Sequence, residues 1–261
     1  MEYIQGEKFS LLDDNAKIFY RHTHNVNDFL TFFANFGEPF ILISHNSDGR
    51  ITDKPRDHFD ADIKLMPDNL VHWFGQNVNV KHDKIESIPI GLENSKWFPE
   101  IRKIEKLKAK LQNEDIFATK KLLYINHAIQ TNPFDRAKPY WLFHHAPFAT
   151  VVYGNNGQNF DEYLDNIYSH KFVICPEGNG TDTHRLWETL YMGSIPVVLS
   201  KTFNNTFFHE LPICVIESWE VVTEDFLNFT YESMSKTKYN LRMLDFNYWR
   251  EKIINKSNEI K

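Results

Sequence analysis

An α/β protein built on parallel sheet is what this sequence predicts, on three observations. Short β-rich runs alternate with amphipathic stretches, the pattern of βαβ units. Residues 170 to 199 read as strand, Gly-rich loop, helix, Gly stop and strand in unbroken succession. At 261 residues the chain can bury a substantial core, in one large domain or two smaller lobes.

In order along the chain, 16–21 and 39–44 (PFILIS) read as strands flanking a helix near 27–35, whose apolar side is Phe29, Leu30, Phe32 and Phe33. The turn-rich loop HNSDGR, 45–50, then leaves the carboxyl end of a strand, where open α/β sheets bind ligands. A β-like run at 84–90 precedes a lysine-rich helix at 101–111. Beyond it the pattern restarts with strand 121–125, a helix from Pro133, strand 148–153, helix 160–169 and strand 171–175. Proline suits a first helical turn, where its missing N–H costs nothing. A helix over 183–192, stopped by Gly193, leads to strands 195–199 and 213–217, then to a helical end and a solvated lysine-rich tail.

Composition narrows the function. Hydrophobic residues make up 42% and charged residues 25%, as in a folded globular chain. The formal charge of −6 and the lack of a Lys/Arg stripe argue against nucleic acid as a partner. No apolar run of membrane-spanning length is visible and the N-terminus lacks a signal-peptide pattern, so a soluble, cytoplasmic chain is expected. Cys175 and Cys214, each in a strand-like run, are expected as free buried thiols.

The segment HKFVICPEGNGTDTHRLWETLYMGSIPVVL carries the chemistry. Gly178, Asn179 and Gly180 form a loop that turns tightly, and a helix starting near Thr183 aims its unpaired N–H groups at that loop, an arrangement suited to phosphate or diphosphate. His184 and Arg185 stand in the first helical turn, where a guanidinium can fork onto phosphate oxygens. Glu188 lies one turn on, placed to accept hydrogen bonds from ribose hydroxyls. On the residues alone, an Arg185–Glu188 surface ion pair and an ordinary glycine loop account for the segment equally well.

The string GNGTDTHRLWETLYMGSIPVV resembles the signature of exostosin-like glycosyltransferases. Weaker similarity covers ISHNSDG at 43–49, WFGQN at 73–77, IPIGLEN at 88–94 and LLYINHAIQTNPFDR at 122–136. The resemblance implies a GT-B-like architecture: two Rossmann-like lobes facing across a cleft, an acceptor-side lobe at 1–117 and a nucleotide-sugar-binding lobe at 118–261, the first reduced because the chain is short. It implies an inverting transfer from a nucleoside-diphosphate sugar, expected to be UDP-linked, to a glycan or other hydroxyl acceptor, with no obligatory metal. Arg185 takes the diphosphate and Glu188 the ribose, while Asn126 and Arg136 join the donor-binding residues. One departure is Glu177, where many members carry Arg after the proline.

An inverting transferase needs a base, and the loop at 45–50 offers Asp48 first and His45 second. Asp48 in a turn-forming NSDG is equally well placed to cap its own loop. Two other readings compete. Asp60-Ala61-Asp62 is a DxD triplet of the kind by which GT-A transferases hold a divalent metal, although no apolar strand precedes it. A non-catalytic nucleotide-sugar or glycan-binding module would keep the cleft and lack the base.

Overall fold

The computed structural model describes residues 1–34, 37–105, 120–153, 159–200 and 209–260. The expected lobe boundary near 117 and most of the helix expected over 101–111 lie outside them. Two main sheets, both wholly parallel, organise the chain.

The first sheet has the order β1 (Ile18–His22), β2 (Phe40–His45), β5 (Leu70–Gly75), β6 (Ile85–Ser87). Between β2 and β5 the chain forms a two-stranded parallel ribbon, β3 (Ile51–Thr52) with β4 (Ala61–Asp62). Two short helices serve this half, α1 (Gly6–Ser10) and α2 (Val26–Phe33). The second sheet joins β7 (Lys121–Ile125), β8 (Ala149–Val151), β9 (His170–Ile174), β10 (Ile195–Leu199) and β11 (Cys214–Ile216) in the order β11-β10-β9-β7-β8. Its crossovers carry α3 (Pro133–Phe143), α4 (Phe160–Tyr168) and α5 (His184–Tyr191), and α6 (Glu224–Ser235) and α7 (Phe246–Asn258) close the chain.

Strand side chains alternate between two cores, as the period of two demands. Ile41 and Ile43 of β2 face inward together with Tyr124 of β7 and Val173 of β9, in one core shared by both sheets. Their neighbours Phe40 and Leu42 face α2, while Leu123, Phe172 and Ile174 face α3 and α6. Because both faces are covered, the strands read as continuous apolar runs.

α7 returns to the first half. Trp249 and Ile253 are fully buried in the shared core, Lys252 pairs with Glu86 of β6, and Lys17 donates to the Ile260 carbonyl at 2.9 Å. The tail expected to be solvated is therefore packed: Ser257 and Ile260 are buried and only the polar side of the helix faces water. No helix among the described residues is long and apolar enough to cross a membrane. Cys175 and Cys214 are free and buried, and burial pushes their thiols up to about 12 and about 11.

Candidate functional site

In the second sheet the strand order reverses between β7 and β9, where the chain runs to β8 on one side and then returns to β9 on the other. A crevice opens at the carboxyl ends of two strands that part company in this way, the usual ligand position in doubly wound sheets. Here it is a cleft of about 650 Å³, bordered by Ala128, Thr131 and Arg136 after β7 and by the loop Gly178 to Thr183 after β9. Asp48, Ile90 and Glu93 of the first half line its other wall.

α5 enters from this loop, with Thr183 as its N-cap. Thr183 makes no side-chain cap bond, so the first-turn N–H groups are not satisfied by its hydroxyl. Arg185 reaches over the face of Tyr163, 5.0 Å from the ring centroid, and places Nη2 3.5 Å from Asn126 Oδ1. Its Nη1 is buried with no hydrogen-bond partner among the described residues. Arg136 lies beside it, donating from Nε to the Glu177 carbonyl at 2.6 Å and from Nη1 to the Ala128 carbonyl at 3.1 Å. Burial first, then the neighbouring Arg185, lower the Arg136 pKa to about 10, which still leaves it charged. Neither guanidinium forms a salt bridge with a carboxylate among the described residues, so the cleft holds two cations with donors to spare.

Glu188, one turn into α5, is almost buried and accepts from the Tyr163 hydroxyl at 2.6 Å. The surface ion pair with Arg185 does not form. His184 turns the other way: Nδ1 meets the Gly91 carbonyl at 2.8 Å and Nε2 lies 3.4 Å from Glu93. Burial disfavours its charge, but Glu93 outweighs that and raises the pKa; with acceptors at both nitrogens, the imidazolium fits best. Gly178 and Gly180 owe their identity to close packing. A Cβ on Gly178 would lie 2.9 Å from Arg136 Nη2, and one on Gly180 2.7 Å from Asn77 Nδ2. Protein side chains fill the space that a Cβ would take at these two glycines, and both glycines line the cleft.

Asp48 and His45 are separated by the fold. His45 is the last residue of β2 and not of the loop, and it is fully buried. Nε2 donates to the Pro89 carbonyl at 3.0 Å, Nδ1 accepts from Asn46 N at 2.7 Å, and burial drives the pKa down to about 4. It is outside the cleft and cannot take a proton from a substrate there. Asp48 is exposed at the cleft wall and its carboxylate makes no hydrogen bond with the described residues; Ser47 Oγ caps the turn instead, accepting from Gly49 N at 3.3 Å.

The DxD reading loses its ligands. Asp60 is buried and accepts from Arg50 N at 2.8 Å, Arg56 N at 3.0 Å, and Arg56 Nε and Nη2 at 3.0 and 3.1 Å. Burial works to raise its pKa, yet these bonds hold it below the usual carboxylate value. Asp62 caps the next turn, accepting from Lys64 N at 3.0 Å. With every lone-pair direction of Asp60 filled by protein donors, none is left for a cation.

Four contributors escape a reading of the sequence alone: Tyr163, Asp182, Asn77 and Arg50. Asp182 is buried between the halves, accepting from Ile90 N at 2.7 Å and from the Trp187 indole at 2.8 Å, and burial lifts its pKa to about 7. Asn77, in the left-handed region at φ 56°, accepts from Thr181 Oγ1 and Asp182 N and donates to the Ser47 carbonyl. Its place after β5, in WFGQN, was the one available signal. No family model matches the chain, and no curated protein matches it either.

Proposed function

We propose that the protein is a glycosyltransferase that moves a sugar from a nucleoside-diphosphate sugar, expected to be UDP-linked, to a hydroxyl acceptor with inversion. The observation that carries this reading is the buried, unpartnered Nη1 of Arg185, set beside Arg136 at the N-terminus of α5. A buried donor without an acceptor is costly, and a diphosphate oxygen would remove that cost. The similarity of GNGTDTHRLWETLYMGSIPVV to exostosin-like transferases supports the same assignment, as does the place of the cleft at the strand-order reversal.

In this reading the two sheets are the cores of GT-B-like lobes, with Glu188 and Tyr163 at the ribose and Asn126 steadying Arg185. Asp48, uncommitted on the opposite wall, takes the proton from the acceptor hydroxyl as its oxygen attacks the anomeric carbon. The bond from that carbon to the diphosphate oxygen breaks, and the electron pair leaves with the nucleoside diphosphate. Arg136, Arg185 and the helix terminus stabilise the charge that develops, with no cation required. Nucleotide release from a panel of UDP-, GDP- and CDP-sugars tests the assignment: acceptor-dependent turnover supports a transferase, and tight donor binding without turnover leaves only a binding module.

A further inference from the structure

A second cavity, of about 550 Å³, adjoins the cleft on the side of the first sheet. Only two of the described residues border both, Asp48 and Asn179. The carboxylate assigned as base thus stands where two occupants would meet, and its oxygens accept no hydrogen bond from the described residues. On the reading of the cleft as a donor site, which this inference rests on, we propose that the second cavity is the acceptor subsite and that it takes an uncharged sugar, not a uronate or a phosphorylated one.

The chemistry of its walls selects the class. Phe59 is 51% exposed, and an open aromatic face suits the C–H side of a pyranose. Asp48 and Asp57 contribute two carboxylates. Asp57 accepts from Phe59 N at 2.9 Å through Oδ1, which leaves Oδ2 for a hydroxyl. The single arginine of the wall, Arg56, has its charge answered by a two-point contact from Nε and Nη2 to the buried Asp60, which leaves only Nη1 toward the cavity. An anionic acceptor would meet two carboxylates and one already neutralised guanidinium, an arrangement that disfavours it by charge. His24, exposed, is steered by Ser47, whose Oγ lies 3.3 Å from Nδ1, so that Nε2 remains for a second hydroxyl. The cavity lies within the size range of small-ligand sites.

Saturation-transfer NMR on the full chain tests this, with methyl β-D-glucopyranoside, methyl β-D-galactopyranoside and methyl β-D-glucuronide as probes in the presence of UDP, and UDP affinity measured separately by calorimetry. Saturation of at least one neutral glycoside, reduced at least ten-fold in Phe59→Ala while UDP affinity is unchanged, is the expected result. Asp57→Asn should raise the signal of the glucuronide relative to the neutral sugars. Saturation of the glucuronide equal to or above that of the neutral glycosides in the unaltered chain, no saturation by any of the three, or an undiminished neutral signal in Phe59→Ala each overturns the proposal. Absence of UDP binding defeats the donor reading instead, and the saccharide signals, repeated without UDP, still decide whether the second cavity binds sugar.

Discussion

Arg50 Nη2 lies 3.6 Å from Glu177 Oε2, joining the loop after β2 to the loop after β9. Glu177 is the residue at which the sequence departs from the exostosin-like pattern, and the pair answers its charge from the other half of the chain, beside the proposed donor cleft. Both side chains are largely shielded, so removing one leaves the other in a poor environment. Arg50→Ala should cost about 1–3 kcal/mol of stability, and Arg50→Ala combined with Glu177→Ala should cost less than the sum. Urea unfolding of the four members of the cycle measures the coupling, and strict additivity would remove the ion pair from the account.

Arg185→Ala and Glu188→Ala should each weaken UDP or donor-sugar binding by about 1–3 kcal/mol, the scale of a charge-assisted hydrogen bond. Glu188→Ala also leaves the Tyr163 hydroxyl without the acceptor it now has at 2.6 Å. Calorimetric affinities equal to that of the unaltered chain in both variants would reject the donor site.

Asp48→Asn should lower kcat by about 10²–10⁴-fold, the usual contribution of a general base, with donor affinity unchanged. His45→Gln should behave differently, because His45 is wedged between Pro89, Asn46 and the ring of Phe9 at 5.1 Å. Its effect belongs in the unfolding curve. A turnover defect confined to His45→Gln would reverse the two roles.

Chelation by EDTA should leave transfer activity intact. Asp60→Ala is nevertheless expected to be damaging, by about 3–5 kcal/mol, because it strips four hydrogen bonds from Arg50 and Arg56 around a buried carboxylate. Asp62→Ala loses only a cap, about 0.5–2 kcal/mol. Activity abolished by EDTA and restored by Mn²⁺ would argue for a metal-dependent centre.

Acid should destabilise the fold through its buried histidines, against an opposing contribution from Asp182, whose carboxyl burial lifts to about 7 so that it takes its proton in the folded chain first. Burial lowers His45 and His170 to about 4 and His127 to about 3. For groups whose folded pKa lies below the unfolded one, the unfolded chain binds more protons between the two values, so stability falls as pH drops from about 6.5 toward 4. His184, raised by Glu93, has the opposite sign: its contribution is complete below the ordinary histidine value and fades as pH rises through its folded pKa. Melting temperatures from pH 7.5 to 4.5 should therefore decline, and His170→Gln should flatten part of the slope. A profile level down to pH 5 contradicts this.

Much of the second sheet was legible in the sequence, because β7, β9 and β10 are short runs dominated by apolar residues and bounded by turn residues. The first sheet was harder. β5 (LVHWFG) is central to it, yet His72 within the run and the indole of Trp73 obscure the strand; the indole is satisfied only by Ser44 Oγ of β2 at 2.8 Å, a partner no local pattern reveals. Around the site, Arg185 and Glu188 stand out through helical spacing, whereas Asp182, Asn77 and Arg50 act through contacts with distant segments. The strand runs one residue further than its apolar pattern, to His45, and that one residue places the imidazole in the core and not in the loop.

The return of α7 to the first sheet also bears on how the chain is made. Trp249, Ile253 and Ile260 belong to the same buried core as Ile18, Tyr20, Ile41 and Ile43, and Phe246 N donates to the Glu2 carbonyl at 2.8 Å. A ribosome releasing this chain from its N-terminus presents those strand residues long before α7 exists. The core of the first sheet is completed only once α7 has emerged, at the cost of slow long-range closure. A nascent chain stalled before residue 246 should expose this apolar face to chaperones and proteases, and extending it through residue 260 should protect it.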